Sequence, residues 1–114
     1  MKTIFSIVTL TLTFGVLFAQ QPEPAYNSNE LSIKTPMGEV FGTLLSPKEV
    51  KKNTSLAIII AGSGNTDRDG NQPQMKNNSL KFLAEYLSSN GIATLRFDKR
   101  GIAKSAGTVN ESNL

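Results

Sequence analysis

The chain contains no cysteine, no histidine and no tryptophan. Without cysteine, no disulfide braces the fold, and attachment to a lipid through a cysteine is excluded. Without cysteine and histidine, zinc and the other borderline metals lose their usual ligands. Charge of one sign is also scarce: 12 basic residues face 9 acidic ones, for a net +3 that becomes +2 when Lys2 is removed. The only basic doublets are Lys51–Lys52 and Lys99–Arg100, and no basic stripe alternates with aromatics. A nucleic-acid partner is therefore not expected.

What is present begins with a leader. Lys2 supplies a positive start, and Ile4 to Ala19 is apolar or small, without charge, until Gln20, Gln21 and Pro22 end the run. This is the order of regions in a secretory signal peptide, with cleavage expected after Ala19. The run is also short of the roughly 20 residues that a spanning helix needs. Residues 1–19 are thus read as signal, 20–29 as a flexible proline-bearing lead-in, and 30–114 as a partial domain. The expected location is exported, either periplasmic or secreted. The residues that remain can bury only a modest core.

Glu30 to Lys34 alternates, with Leu31 and Ile33 on one face, and Val40 to Leu45 reads as a second strand. Thr35-Pro36-Met37-Gly38 between them predicts an antiparallel hairpin, and Ser46-Pro47 is expected to end it. Leu56 to Ala61 is continuously apolar, the pattern of a strand buried on both faces. Asn78 or Ser79 is placed to cap a helix running to about Ser89. Its stripe is Leu80, Leu83, Ala84 and Leu87, widened by Phe82 and Tyr86. Asn90-Gly91 stops the helix, and Ile92 to Phe97 forms a strand expected to lie parallel to the Leu56 strand. The fold class is α/β: a hairpin leading into parallel strands with one crossover helix, interrupted after its fourth strand. One sheet face is then expected to lack a cover.

Two loops carry the chemistry. Gly62-Ser63-Gly64 ends the Leu56 strand and frees backbone N–H groups at the carboxyl edge of the sheet, where ligands bind in open α/β folds. Such amides hold an oxyanion or a phosphate. The surroundings fit neither phosphate-loop pattern. Asp67-Arg68-Asp69-Gly70 lacks the spaced oxygens of a calcium loop. Asp67 and Asp69 are expected to accept backbone hydrogen bonds in tight turns, with Arg68 or Arg100 paired to one of them. Asp98-Lys99-Arg100-Gly101 repeats the arrangement one strand later, with Asp98 as an anchor between the two loops.

At these motifs the chain resembles the N-terminal part of an α/β-hydrolase, of the exported bacterial serine-hydrolase branch that includes serine-aminopeptidase-like and dienelactone-hydrolase-like esterases. "AGSGNTDRDGNQ" (Ala61 to Gln72) is similar to that family's oxyanion loop. "LRFDKRGIAKS" (Leu95 to Ser105) is similar to its aspartate-x-arginine-glycine-x-glycine-x-serine loop. Ala61 stands where many relatives have histidine, Asn65 where proline is frequent, and Ala103 where a glycine is usual. The resemblance implies hydrolysis of carboxylic esters or related acyl bonds in the complete protein, with a small-molecule ester or acyl substrate, no cofactor and no metal. It implies that the Ser63 backbone N–H belongs to the oxyanion hole, and that Gly62, Gly64, Asp67, Arg68, Asp69, Gly70, Asp98, Arg100 and Gly101 shape the loops.

The nucleophile, acid and base that the resemblance calls for are not found in the sequence. No Gly-x-Ser-x-Gly elbow occurs, since Gly62-Ser63-Gly64 has the wrong spacing and Gly101 stands too far before Ser105. No histidine exists to deprotonate Ser63 or Ser105, and Lys104 beside Ser105 points to the opposite side of an extended chain. The expectation is a hydrolase fragment inactive alone. The alternative is a small exported non-catalytic domain that binds a partner.

Overall fold

The computed structural model describes residues 20–107. The signal segment 1–19 and the stretch 108–114 lie outside the described residues. Strands β1 (Tyr26–Thr35) and β2 (Gly38–Pro47) form an antiparallel hairpin turned at Pro36-Met37. After β3 (Leu56–Ile59), helix α1 (Ser79–Ser89) leads to β4 (Ala93–Phe97) and a short 3-10 turn at Ala103–Ser105. The sheet order is β1-β2-β4-β3, with β2 and β4 antiparallel and β3 and β4 parallel. The fold is a mixed sheet with a crossover helix, an α/β arrangement of the hydrolase kind.

Several boundaries differ from expectation. The lead-in is shorter, because Tyr26 to Asn29 pair with Leu44 to Pro47 across the hairpin. Pairing requires only backbone groups, so polar side chains do not prevent it. Ser46-Pro47 does end β2, with Pro47 in its last position, where a missing N–H is harmless. β3 stops at Ile59, two residues before the glycine loop.

The register sorts the side chains. Glu30, Thr43, Arg96 and Ile59 stand in one row across the sheet, and Ser28, Leu45, Thr94 and Ala57 in the next. These rows face α1, which packs on β4 and β2 and touches β1. Ser88 of α1 shares a hydrogen bond of 3.1 Å with Thr94, both hydroxyls fully buried. Tyr26 donates to Glu85 at 2.9 Å. Burial and then that carboxylate push the Tyr26 phenol above its ordinary range.

The opposite face is open. Leu31, Ile33, Val40, Ile58, Leu95 and Phe97 line a groove of about 480 Å³ on it. Ile33 is 68% exposed and Ile58 58%. β3 is thus half-buried on one side only, through Ala57 and Ile59, and its continuous hydrophobicity belongs to a strand with an uncovered second face.

The helix stripe is corrected too. Ala84 and Ser88 are buried and Leu80 and Leu87 half-buried, while Phe82, Leu83 and Tyr86 are exposed on the outer face. Asn78 takes the cap position at φ 51 but makes no side-chain cap hydrogen bond. The carbonyl of Asp69 takes the first helical amides instead, accepting from Leu80 at 3.1 Å and Lys81 at 3.3 Å. Gly70 makes this approach feasible. It has φ 91, and a Cβ there would lie 2.6 Å from Ser79 Oγ. Helix start and loop are therefore one unit.

An open apolar face has a measurable consequence. The chain is expected to bind the hydrophobic dye ANS while folded, and the Ile33→Lys/Ile58→Lys double variant to lose most of that fluorescence with Tm held within about 3 °C. Unchanged dye binding would place the exposed apolar surface elsewhere.

Candidate functional site

The loops after β3 and β4 are tied by ion pairs that cross. The β3 loop supplies Arg68 and Asp69; β4 and its loop supply Arg96 and Asp98. Arg68 reaches Asp98, with Nε 3.4 Å from Oδ2. Arg96 reaches Asp69, with Nη1 2.5 Å from Oδ1. Three of the four side chains are at most 8% exposed, Asp69 being the exception at 35%. Arg68 does not pair with Asp67 or Asp69 as the sequence led one to expect, because Asp69 meets the Arg96 guanidinium and Arg68 meets Asp98. Arg100 lies on the surface with Nη1 3.8 Å from Met37 Sδ.

Arg68 is the most heavily coordinated of the four. Besides Asp98, Nη1 donates to Thr43 Oγ1 at 2.8 Å, and Nη2 stands 3.0 Å from Glu30 Oε2. The same Thr43 hydroxyl donates to Glu30 at 2.6 Å, and Lys104 Nζ reaches Glu30 at 3.1 Å. A guanidinium with its donors forked among fixed oxygens is a rigid joint. The Thr43 hydrogen bond does most to hold the Glu30 carboxyl below its usual range, helped by Lys104 and Arg68 and opposed by burial.

Asp98, 1% exposed, is filled on every side. Its carboxylate accepts the Arg68 backbone N–H at 2.8 Å and the Lys104 N–H at 3.3 Å. Its own N–H donates to the Phe41 carbonyl, and its carbonyl accepts from Ser105 Oγ at 2.9 Å. Asp67 serves a local turn, taking the N–H groups of Asp69 at 2.9 Å and Asn71 at 2.8 Å on one oxygen. The Gly101 N–H donates to the Ser105 carbonyl.

The serines separate cleanly. Ala103-Lys104-Ser105-Ala106-Gly107 has the spacing of a nucleophile elbow with alanine in place of the first glycine. Ser105 is nevertheless fully buried, and its hydroxyl donates to Asp98 and accepts the Phe41 N–H at 3.0 Å. It is a structural strut. Lys104 is held in its pair with Glu30, so no base stands beside it. Ser63 is exposed, and its hydroxyl makes no hydrogen bond among the described residues. Gly64 has φ 83, a left-handed conformation suited to glycine, whereas a Cβ at Gly62 would meet nothing within 4 Å. Carbonyls of this loop are taken: those of Gly62 and Gly64 accept from Lys99 Nζ. The N–H groups of Ser63 and Asn65 make no hydrogen bond among the described residues. A hollow of about 230 Å³ adjoins Asn65, lined by Asp67, Asn71, Gln72, Pro73, Lys76 and Ile102 among others. What this geometry can do chemically is accept negative charge on backbone amides.

No protein-family profile matches the chain, and no curated protein does. Among solved structures it is similar to a cold-adapted esterase from an Arctic intertidal metagenomic library, with a TM-score of 0.54 and 19% identity over 73% of this chain and 32% of that one. It is also similar to a hypothetical protein from Pseudomonas aeruginosa, with a TM-score of 0.48 and 19% identity over 81% of this chain and 26% of that one. The chain spans about a third of the esterase's length. At this identity the likeness is one of fold.

Two outcomes follow from the charge network. Asp98→Ala removes the buried one of the two carboxylates beside Arg68 and is expected to cost about 3–5 kcal/mol by urea melts, whereas the Arg68→Met/Asp98→Leu double variant costs markedly less than the sum of the singles. Additive losses would deny the pairing. Glu30 gives a pH signature. The folded state keeps its carboxyl ionised to lower pH than the unfolded chain, whose value is near 4.5. Its contribution is therefore complete above that value and disappears as pH falls through the lower folded value. Glu30 is half-exposed, so the effect is at most about 1 kcal/mol. The stability gap between wild type and Glu30→Gln should be flat from about pH 6 to 8 and close in acid; a gap that widens in acid would reverse the sign.

Proposed function

We propose that this chain supplies the oxyanion-loop side of the active site of an exported serine hydrolase acting on carboxylic ester or related acyl bonds. The observation that carries the reading is the Gly62–Asn65 loop, whose Ser63 N–H stands free at the carboxyl edge of β3 while the loop behind it is clamped by buried ion pairs. The esterase of similar fold supports the same direction. In this reading a serine alkoxide attacks the ester carbonyl, and the Ser63 N–H receives one hydrogen bond's worth of the negative charge that develops on the carbonyl oxygen. The second amide follows the nucleophile, and the nucleophile, its acid and its histidine come from outside residues 20–107. Ser63 acts through its backbone, so its hydroxyl takes no part, and Ser105 is excluded as nucleophile by its two hydrogen bonds. Export rests on the signal-like residues 1–19.

The test is active-site labelling of the protein from its native cell with a fluorophosphonate, paired with hydrolysis of 4-nitrophenyl esters. The expected label falls on a serine outside residues 20–107, and Ser63→Ala keeps kcat within about threefold, whereas loss of an oxyanion donor costs about 100- to 1,000-fold. Label on Ser63 or Ser105, or a Ser63→Ala loss of that larger size, would overturn the assignment.

A further inference from the structure

Lys99 belongs to neither crossed ion pair, yet its ammonium makes two hydrogen bonds to the glycine loop. Nζ donates to the carbonyl oxygens of Gly62 and Gly64, the latter at 2.8 Å. No peptide bond of the described residues is cis. In a planar trans peptide, the C=O of one residue and the N–H of the next point in opposite directions. Holding Gly62 O and Gly64 O on one ammonium therefore turns the N–H groups of Ser63 and Asn65 away from it. Gly64 O is held a second time, by the Thr66 N–H at 3.0 Å. Lys99 leaves the sheet at the end of β4, the inner neighbour of β3, and β3 is the edge strand of the described sheet. A cation on a carbonyl also polarises its peptide unit and strengthens the N–H as a donor.

We propose that Lys99 is a positioning residue that latches the glycine loop by two carbonyls and so sets the Ser63 and Asn65 N–H groups to receive an oxyanion. The proposal rests on the hydrolase reading above for the use of those amides, and on the latch alone for their orientation. The ammonium acts through the loop and touches no reacting atom. Hydrophobic burial contributes nothing to the latch, since Gly62, Ser63 and Gly64 are all exposed. Without the ammonium the loop retains only the turn at Thr66, and the two amides lose their common orientation.

The experiment compares wild type, Lys99→Met, which keeps the length of the side chain without its charge, and Lys99→Arg, which keeps the charge. In the full chain, nitrogen-15 relaxation reads the order of the Ser63 and Asn65 N–H groups, with Tm as control. Lys99→Met is expected to lower their order parameters from about 0.85 to below about 0.6 while Lys99→Arg retains them. In the protein from its native cell, Lys99→Met is expected to lower kcat on 4-nitrophenyl acetate by about 10- to 100-fold with KM within about twofold, and Lys99→Arg to recover most of it. Loop amides that stay rigid in Lys99→Met overturn the latch. A wild-type protein that hydrolyses no ester overturns the hydrolase reading instead, and the relaxation data then judge the latch independently.

Discussion

The structure turns on the exchange of arginines between two loops. Arg68, after β3, is buried against Asp98 after β4, and Arg96, in β4, meets Asp69 in the β3 loop. Largely buried charges of this kind are weak sources of net stability, since desolvation offsets most of their attraction, but removal of one partner is severe. Their value here is geometric. Among the described residues the buried apolar side chains are few, Leu45, Pro47, Ala61 and Ala84, beside eight polar or charged ones. So apolar packing cannot by itself fix where the loops sit. Directional hydrogen bonds do that, and they fix the position of the glycine loop as a result.

Much of the architecture was legible beforehand. The hairpin turn, the helix limits at Ser79 and Ser89, and the parallel pairing of β3 with β4 follow from Pro36-Met37, from the apolar spacing and Asn90-Gly91, and from the strand–helix–strand order. The helix face was not. Phe82, Leu83 and Tyr86 fall at spacings that extend the apolar stripe, yet Ser88 is the residue buried there, because its hydroxyl finds Thr94. Single-sequence periodicity cannot register a polar residue made apolar in effect by a buried partner. The start of β1 was missed for a related reason: Asn27, Ser28 and Asn29 look like tether, and only backbone pairing with β2 reveals a strand.

The site divides along the same line. The glycine loop and Asp98 could be singled out from their positions at strand ends. Their partners could not, because Arg68 to Asp98 and Arg96 to Asp69 span 30 and 27 positions in sequence. Nothing local distinguishes Arg68 to Asp69 from Arg68 to Asp98. The signal was present only in duplicate form: an arginine and an aspartate close together in the loop after β3, and again at the end of β4. Ser105 shows the opposite hazard, since its elbow-like spacing is undone by burial.

The central claim is that the β3 loop is clamped at Arg68 and presents free amides at Ser63 and Asn65. Native-state hydrogen exchange, read residue by residue, tests both halves at once. The Arg68 N–H, held by the Asp98 carboxylate, should exchange only as the protein unfolds globally, while the Ser63 and Asn65 N–H groups exchange orders of magnitude faster. An Arg68 amide that exchanges as fast as that of Ser63 would mean that the loops are not joined, and the account would fail at its base.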